Sequence, residues 1–185
     1  LLLYPTKALA RDQLRKTREL LGDYPVTTNV YDGDTPPYQR NEIRRSSQLI
    51  FSNPDMLHIA LLPHHGQWRR FFSRLRFVVI DEVHMYRGVF GSHAANLFRR
   101  LRRVCAYYGS EPTFVCCSAT VPNPGELASK LVGVDFAVVD DDGSPSGDKH
   151  FLLWDPRLTQ ALAPGSDDPH DVGGEGGWQK GSPYT

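Results

Sequence analysis

The sequence predicts an α/β domain, a mostly parallel sheet with flanking helices, and three observations carry that expectation. Short apolar runs recur between Leu1 and Val139, several of them continuously apolar, as strands buried on both faces must be. Between the runs lie segments with apolar residues at three-to-four spacing. One run, Phe77-Val78-Val79-Ile80, passes straight into two adjacent carboxylates, Asp81 and Glu82. In parallel sheets ligands sit at the carboxyl ends of strands, so chemistry is expected at that edge.

Taken in order, the expected strands are Leu1–Tyr4, Val26–Tyr31, Gln48–Ser52, Phe77–Asp81, Thr113–Ser118 and Phe136–Val139. Thr6 is the N-cap of a helix running to about Leu21, with Ala10, Leu14, Thr17 and Leu21 on one face and Gly22 as its stop. The clearest helix runs from about Ser92 to Tyr108. Ala94, Leu97, Phe98, Leu101, Val104, Cys105 and Tyr108 form its apolar stripe and Gly109 ends it. Residues 1–139 make one domain on this reading, and 140–155 a polar linker leading into a strand-like piece, His150–Trp154. Residues 156–185 are rich in Gly, Pro, Asp and Ser with few core residues, the composition of a disordered tail.

With 185 residues there is room for one ordinary domain and not for a two-domain motor. The 21 basic and 21 acidic side chains cancel, so any nucleic-acid site must be local rather than a general field. Three cysteines, two of them adjacent (Cys116 and Cys117) in an apolar run, read as core thiols of a reducing, cytoplasmic protein. No apolar stretch approaches the ~20 residues that cross a bilayer, so no membrane partner is expected. Leu1–Tyr4 reads as a strand entered in mid-course, which places the expected N-terminus upstream.

An Asp-Glu pair alone is more often a polar strand end than a site. Phosphoryl transfer, however, needs a carboxylate to hold Mg²⁺ and a group to orient or deprotonate water, and Asp81 and Glu82 can divide that work. Further patterns accompany the pair: Cys117-Ser118-Ala119-Thr120 after another strand, Pro5-Thr6-Lys7 through Gln13 at a strand-to-helix junction, Tyr31-Asp32-Gly33-Asp34-Thr35, and Ser52-Asn53-Pro54-Asp55. This ordered set resembles the superfamily 2 helicases, with the DExH motif II in Asp81–His84, motif III in Ser118–Thr120 and motif Ia in Pro5–Gln13. The stretch Asp81–His93, running on into Asn96–Leu101, is similar to a bacterial DEXH branch related to the DNA-repair helicase MrfA and to Hrq1-like RecQ relatives.

The resemblance implies a RecA-like (P-loop NTPase) fold and an ATP-dependent helicase working with ATP and Mg²⁺, 3′ to 5′ on DNA, in DNA repair. It implies catalytic roles for Asp81, Glu82 and His84, with Asp81 holding Mg²⁺ through water, and a coupling role for Ser118, Ala119 and Thr120. Pro5, Thr6, Lys7, Gly33, Asn53 and Pro54 would contact a nucleic-acid backbone. Hydroxyls, amides and helix N-termini suit phosphate oxygens and carry little sequence information, which a helicase requires. The partners implied are nucleic acid, DNA ahead of RNA, and a second RecA-like domain.

No Gly-Lys pair occurs in the sequence, so the Gly-x-x-x-x-Gly-Lys-Ser/Thr phosphate loop is missing. The fold is therefore expected to be incomplete at its N-terminus, and the isolated chain to be inactive. Alternatives are an RNA helicase, a translocase of a restriction or defence system, and a short nucleic-acid-binding scaffold without ATPase. The pairs Arg99-Arg100 and Arg102-Arg103 read as a solvated helix face, His64-His65 as a polar loop, and Gly173–Gly177 as linker.

Overall fold

A computed structural model describes residues 1–141, 143, 145, 147–148, 150–152, 158–159 and 179–180. The described chain forms two compact units, Leu1–Asp140 and Asp141–Thr185.

The first unit is a five-stranded, all-parallel sheet in the order β2-β3-β1-β4-β5. Its strands are β1 (Leu2–Leu3), β2 (Thr28–Val30), β3 (Leu49–Ser52), β4 (Phe77–Ile80) and β5 (Thr113–Cys116), each within a run anticipated from sequence. Helices α1 (Lys7–Leu21), α2 (Pro37–Ser46), α3 (Pro54–Met56), α4 (Arg69–Phe72), α5 (Gly88–Tyr107) and α6 (Pro124–Val132) connect or follow them. A π turn, Leu57–Leu61, extends α3, and a 3₁₀ turn, His65–Trp68, leads into α4.

Side-chain alternation explains why the strands are apolar throughout. Leu3, Ile50, Val78 and Ile80 point to one face, into the large core with Trp68, Phe72, Phe98 and Leu101. Leu2 and Phe51 point to the other, where Ala10 and Leu14 of α1 cover them with Tyr4. Thr6 caps α1 as expected, its Oγ1 accepting the Leu9 N–H at 3.3 Å, and Gly22 ends it at φ 51°. Helix α5 begins at Gly88, four residues before the expected Ser92, because the Gly91 backbone lies hard against the Tyr86 carbonyl and lets the turn close early.

Three expectations need correction. Phe136–Val139 is not a strand. Val134 and Phe136 pack at the margin of the core, but Val138 and Val139 are exposed and no ladder pairs with them. An apolar run makes a strand only where backbone partners are available. Cys117 is exposed and Cys116 only half-buried, because β5 lies at the edge of the sheet and Cys117 is already beyond its end. Arg99 and Arg102 are not simply solvated: their guanidinium groups donate to the carbonyls of Lys130 and Gly133 (3.2 and 2.7 Å), closing the C-terminal end of α6.

In the second unit, Leu158–Thr159 pairs antiparallel with Gln179–Lys180. The expected strand His150–Trp154 is not formed at Phe151 and Leu152; its remainder, most of the expected tail and the Gly173–Gly177 linker lie outside the described residues. No helix among the described residues is long and apolar enough to cross a membrane.

Candidate active site

Every residue singled out for chemistry lies at or just beyond the carboxyl ends of the strands. The β4 ladder runs one residue past the strand, with the Asp81 N–H donating to the Leu3 carbonyl at 3.0 Å. The chain then turns sharply at Glu82, whose φ and ψ are 54° and 45°; it is the one non-glycine residue with positive φ among those described. A left-handed conformation costs a residue with a Cβ about 1–2 kcal/mol. Two hydrogen bonds hold it there: the Glu82 N–H donates to Asp81 Oδ1 at 2.9 Å, and the Val83 N–H to the Cys117 carbonyl at 2.9 Å. Strained backbone that the surroundings enforce in this way is typical of functional positions.

The strain brings three segments together. Glu82 Oε2 lies 3.3 Å from His84 Nδ1, and the same nitrogen lies 3.4 Å from the Ala119 N–H. Nδ1 can serve only one of them at a time. With its lone pair it accepts from Ala119; with a proton it donates to Glu82. His84 thus stands between the acid pair and the Ser118–Thr120 segment. Ser118, Ala119 and Thr120 are exposed, and neither hydroxyl has a hydrogen-bond partner among the described residues.

The carboxylates mark their surroundings electrostatically. Tyr4 is pushed up to about 12, first by burial and then by the negative charge of Asp81 and by Cys117. Burial, followed by Asp81, also raises Tyr86, whose hydroxyl is buried without a hydrogen-bond partner among the described residues. Cys117 is raised by burial, then by Asp81 and Glu82. Thiolates, not thiols, react with alkylating agents. Cys117 is therefore expected to react with iodoacetamide at pH 8 more slowly than a free cysteine, and Asp81→Asn to speed it up. Mass spectrometry of the Cys117 peptide over time measures both, and an unchanged rate in the variant would place Asp81 too far away to matter.

A second cluster lies at the start of α1. Asp32 is buried; its Oδ2 accepts from Arg11 Nε at 3.1 Å and its Oδ1 from the Asp34 N–H at 2.9 Å. Arg11 and Lys7 both pair with Asp34 (2.8 and 3.0 Å), and their hydrogen bonds, Lys7 foremost, hold its carboxyl below the ordinary range. Lys7 Nζ stands 3.1 Å from where a Cβ on residue 33 would lie, so Gly33 keeps this corner open. The expected contacts Thr6, Lys7 and Gly33 are therefore neighbours, with Pro5 beside them in sequence. The sequence reading passed over Arg11 and Asp32 as organisers; an Asp-Gly-Asp-Thr turn within reach of a basic first helical turn was the signal available.

Asn53 and Pro54 are placed differently. Both are buried, and Asn53 Oδ1 accepts the Met56 N–H at 2.8 Å as the N-cap of α3. Their structural work is plain, and what they offer a ligand is chiefly backbone.

Among the described residues no three His, Cys, Asp or Glu side chains converge on one point. That donor set does not suit a cage of protein ligands. It suits Mg²⁺, which keeps several waters and takes one or two carboxylates together with substrate phosphates; Asp81 supplies such an oxygen beside Glu82.

A five-stranded parallel sheet flanked by helices, with an acid pair on a turn beyond an inner strand, is the architecture of a RecA-like domain. Residues 1–127 match the sequence profile of the DEAD/DEAH box helicases. The chain belongs to the DEAD/DEAH box helicase family. It is 50% identical over 160 residues to the uncharacterized ATP-dependent helicase YprA of Bacillus subtilis, covering 85% of this chain and 21% of YprA. It is 43% identical over 163 residues to ATP-dependent helicase HRQ1 of Saccharomyces cerevisiae, covering 84% of this chain and 15% of that protein. The crystal structure of DUF1998 helicase MrfA bound to DNA and AMPPNP superposes with a TM-score of 0.76 at 50% identity, over 79% of this chain and 21% of MrfA. The chain thus spans about a fifth of the length of these relatives.

Proposed function

We propose that this chain is the central part of the first motor domain of an ATP-dependent 3′-to-5′ DNA helicase that serves DNA repair. The observation that carries this reading is the contact of His84 Nδ1 with both Glu82 and Ala119, which links the acid pair to the segment after β5. A site built only to end a strand has no use for that link, and an ATPase-dead scaffold has no use for a strained Glu82.

Mg²⁺ bound together with ATP would supply charge neutralisation on the phosphates, and Asp81 is the residue that would hold it. Glu82 accepts the proton of the attacking water, and His84 reports the change to Ser118–Thr120 through the Ala119 N–H. Pro5, Thr6, Lys7 and Gly33 at the mouth of α1 meet the nucleic-acid backbone, where the α1 N-terminus adds its partial positive charge. Asn53 and Pro54 contribute through the start of α3. A second RecA-like domain completes the motor. DNA is preferred to RNA because the similar proteins MrfA and Mycobacterium smegmatis Lhr were crystallised with DNA.

A chimera tests the proposal: this chain's residues replace the matching 160 residues of Bacillus subtilis YprA. Retained DNA-stimulated ATPase and 3′-to-5′ unwinding are the expected result. An ATPase stimulated by RNA alone would move the reading to the RNA alternative, and a folded, DNA-binding but ATPase-dead chimera to the scaffold. The isolated 185-residue chain, with no Gly-Lys pair, is expected to turn over no ATP.

A further inference from the structure

Lys7 is the first residue of α1, and no acidic residue stands in the first turn of that helix. A cation there sits at the positive end of the helix dipole, the less favourable end for it. The negative charge that balances it comes from outside the helix, from the turn after β2. Lys7 and Arg11, one turn apart on the same helix face, meet Asp32 and Asp34, and the four charges cancel.

The two acids differ in kind. The Asp32 side chain is 1% exposed, and it is tied to Arg11 Nε at 3.1 Å and to the Asp34 N–H at 2.9 Å, a fixed anchor. The Asp34 side chain is 54% exposed and divides its oxygens, Oδ1 accepting from Lys7 Nζ at 3.0 Å and Oδ2 from Arg11 Nη2 at 2.8 Å. Its carboxylate accepts from no other group among the described residues. Exposed ion pairs are held weakly, so Asp34 can be displaced while Arg11 keeps Asp32. One negative charge with two acceptor oxygens, shared between a lysine and an arginine, is also what a backbone phosphate presents to such a pair.

We propose, on the reading that Lys7 meets the nucleic-acid backbone, that Asp34 is a built-in competitor for the phosphate: it occupies Lys7 and Arg11 in the free protein and gives way when a strand binds. Asp34 keeps the two cations ordered for the incoming phosphate and weakens their final grip on it. A motor that steps along a strand must release each phosphate it has held, and a neighbouring carboxylate ready to take the cations back speeds that release. An ion pair that served only to hold the turn predicts the opposite sign, because its loss would loosen Lys7 and weaken binding.

Fluorescence anisotropy of labelled oligothymidylate longer than about 16 nucleotides, titrated with the 185-residue chain between about 50 and 200 mM salt, tests it. Asp34→Asn keeps the N–H bond to Asp32 and removes only the charge, so the melting temperature should hold. It is expected to tighten binding about fivefold, since two exposed ion pairs no longer oppose the phosphate. The plot of log affinity against log salt should steepen by about 0.7, the worth of one more phosphate contact on a single strand. In the Lys7→Ala background the gain should fall to about twofold, what Arg11 alone returns. Asp34→Glu keeps the charge and should bind as the unaltered chain does. Glu19→Gln removes the same charge roughly 18 Å along α1 and should change nothing. Weaker or unchanged binding by Asp34→Asn would overturn the proposal. So would a gain that survives whole in the Lys7→Ala background or appears equally in Glu19→Gln, either of which would mark a general effect of charge. If Lys7→Ala weakens binding and Asp34→Asn brings no gain, the competitor fails and the helicase reading stands; if Lys7→Ala leaves binding unchanged, the backbone contact itself fails.

Discussion

Glu82→Gln in the chimera is expected to lower the rate of ATP hydrolysis by about 10²–10⁴ while leaving ATP and DNA affinity near their starting values, since a placed general base acts in the transition state. Gln is nearly isosteric and keeps an oxygen, so the turn at residue 82 and the Val83 N–H bond to Cys117 should survive. What is lost is the group that can take the water's proton. Glu82→Gly separates chemistry from strain. It removes the carboxylate and also the left-handed penalty at φ 54°, so activity should fall equally while the fold gains about 1 kcal/mol. Steady-state ATPase and urea unfolding of the two variants decide the point. If Glu82→Gly destabilises, the positive φ is not a strain; if Glu82→Gln retains activity, the base is another group.

The second large effect concerns the helix that follows. Gly91 lies within α5, and by helix propensity alone Gly91→Ala should stabilise the protein by about 1 kcal/mol. A Cβ there, however, would stand 2.4 Å from the Tyr86 carbonyl oxygen and 2.7 Å from its carbon. Those atoms are backbone, pinned by the 3.0 Å bonds from Tyr86 N–H to the Val83 carbonyl and from Gly91 N–H to the Arg87 carbonyl. Overpacking against a fixed wall outweighs propensity, and a net loss of about 3 kcal/mol is expected. The melting temperature should drop by roughly 10 °C. Because the Tyr86 loop follows directly from Glu82 and His84, the variant should also blunt activity below its melting point. A neutral or stabilising Gly91→Ala would mean that the loop can move away.

The five paired strands and α1 were legible because their signals are local: continuous apolar runs, a threonine cap, a glycine stop. Helix α6 was missed although Asn123-Pro124 opens it, Ala128 and Leu131 are buried on one face, and Gly133 closes it at φ 80°, all readable cues. Helix α2 shows less, with Ile43 its one buried residue and Pro37 in the first turn the only hint. The strand expected at 136–139 failed for a reason no local pattern contains, namely which backbone stands beside it. At the site, the residue types were legible and their geometry was not. Nothing in Asp81–His84 announces a left-handed Glu82, and nothing in Ala119 announces that its N–H reaches His84. Asn53 reads in sequence as a ligand contact, and in space is foremost a helix cap.

The position of β1 has a consequence for how the protein comes to be folded at all. Among the strands it comes first in sequence, yet it lies at the centre of the sheet, with Leu2 opposite Phe51 on one side and Val79 on the other. During synthesis Leu2 and Leu3 must wait until about Ile80 has been made before both of their ladders can close. Hairpin-by-hairpin assembly is impossible, and each pairing must first overcome the closure entropy of a long loop. Folding is accordingly expected to be slow for the size of the domain.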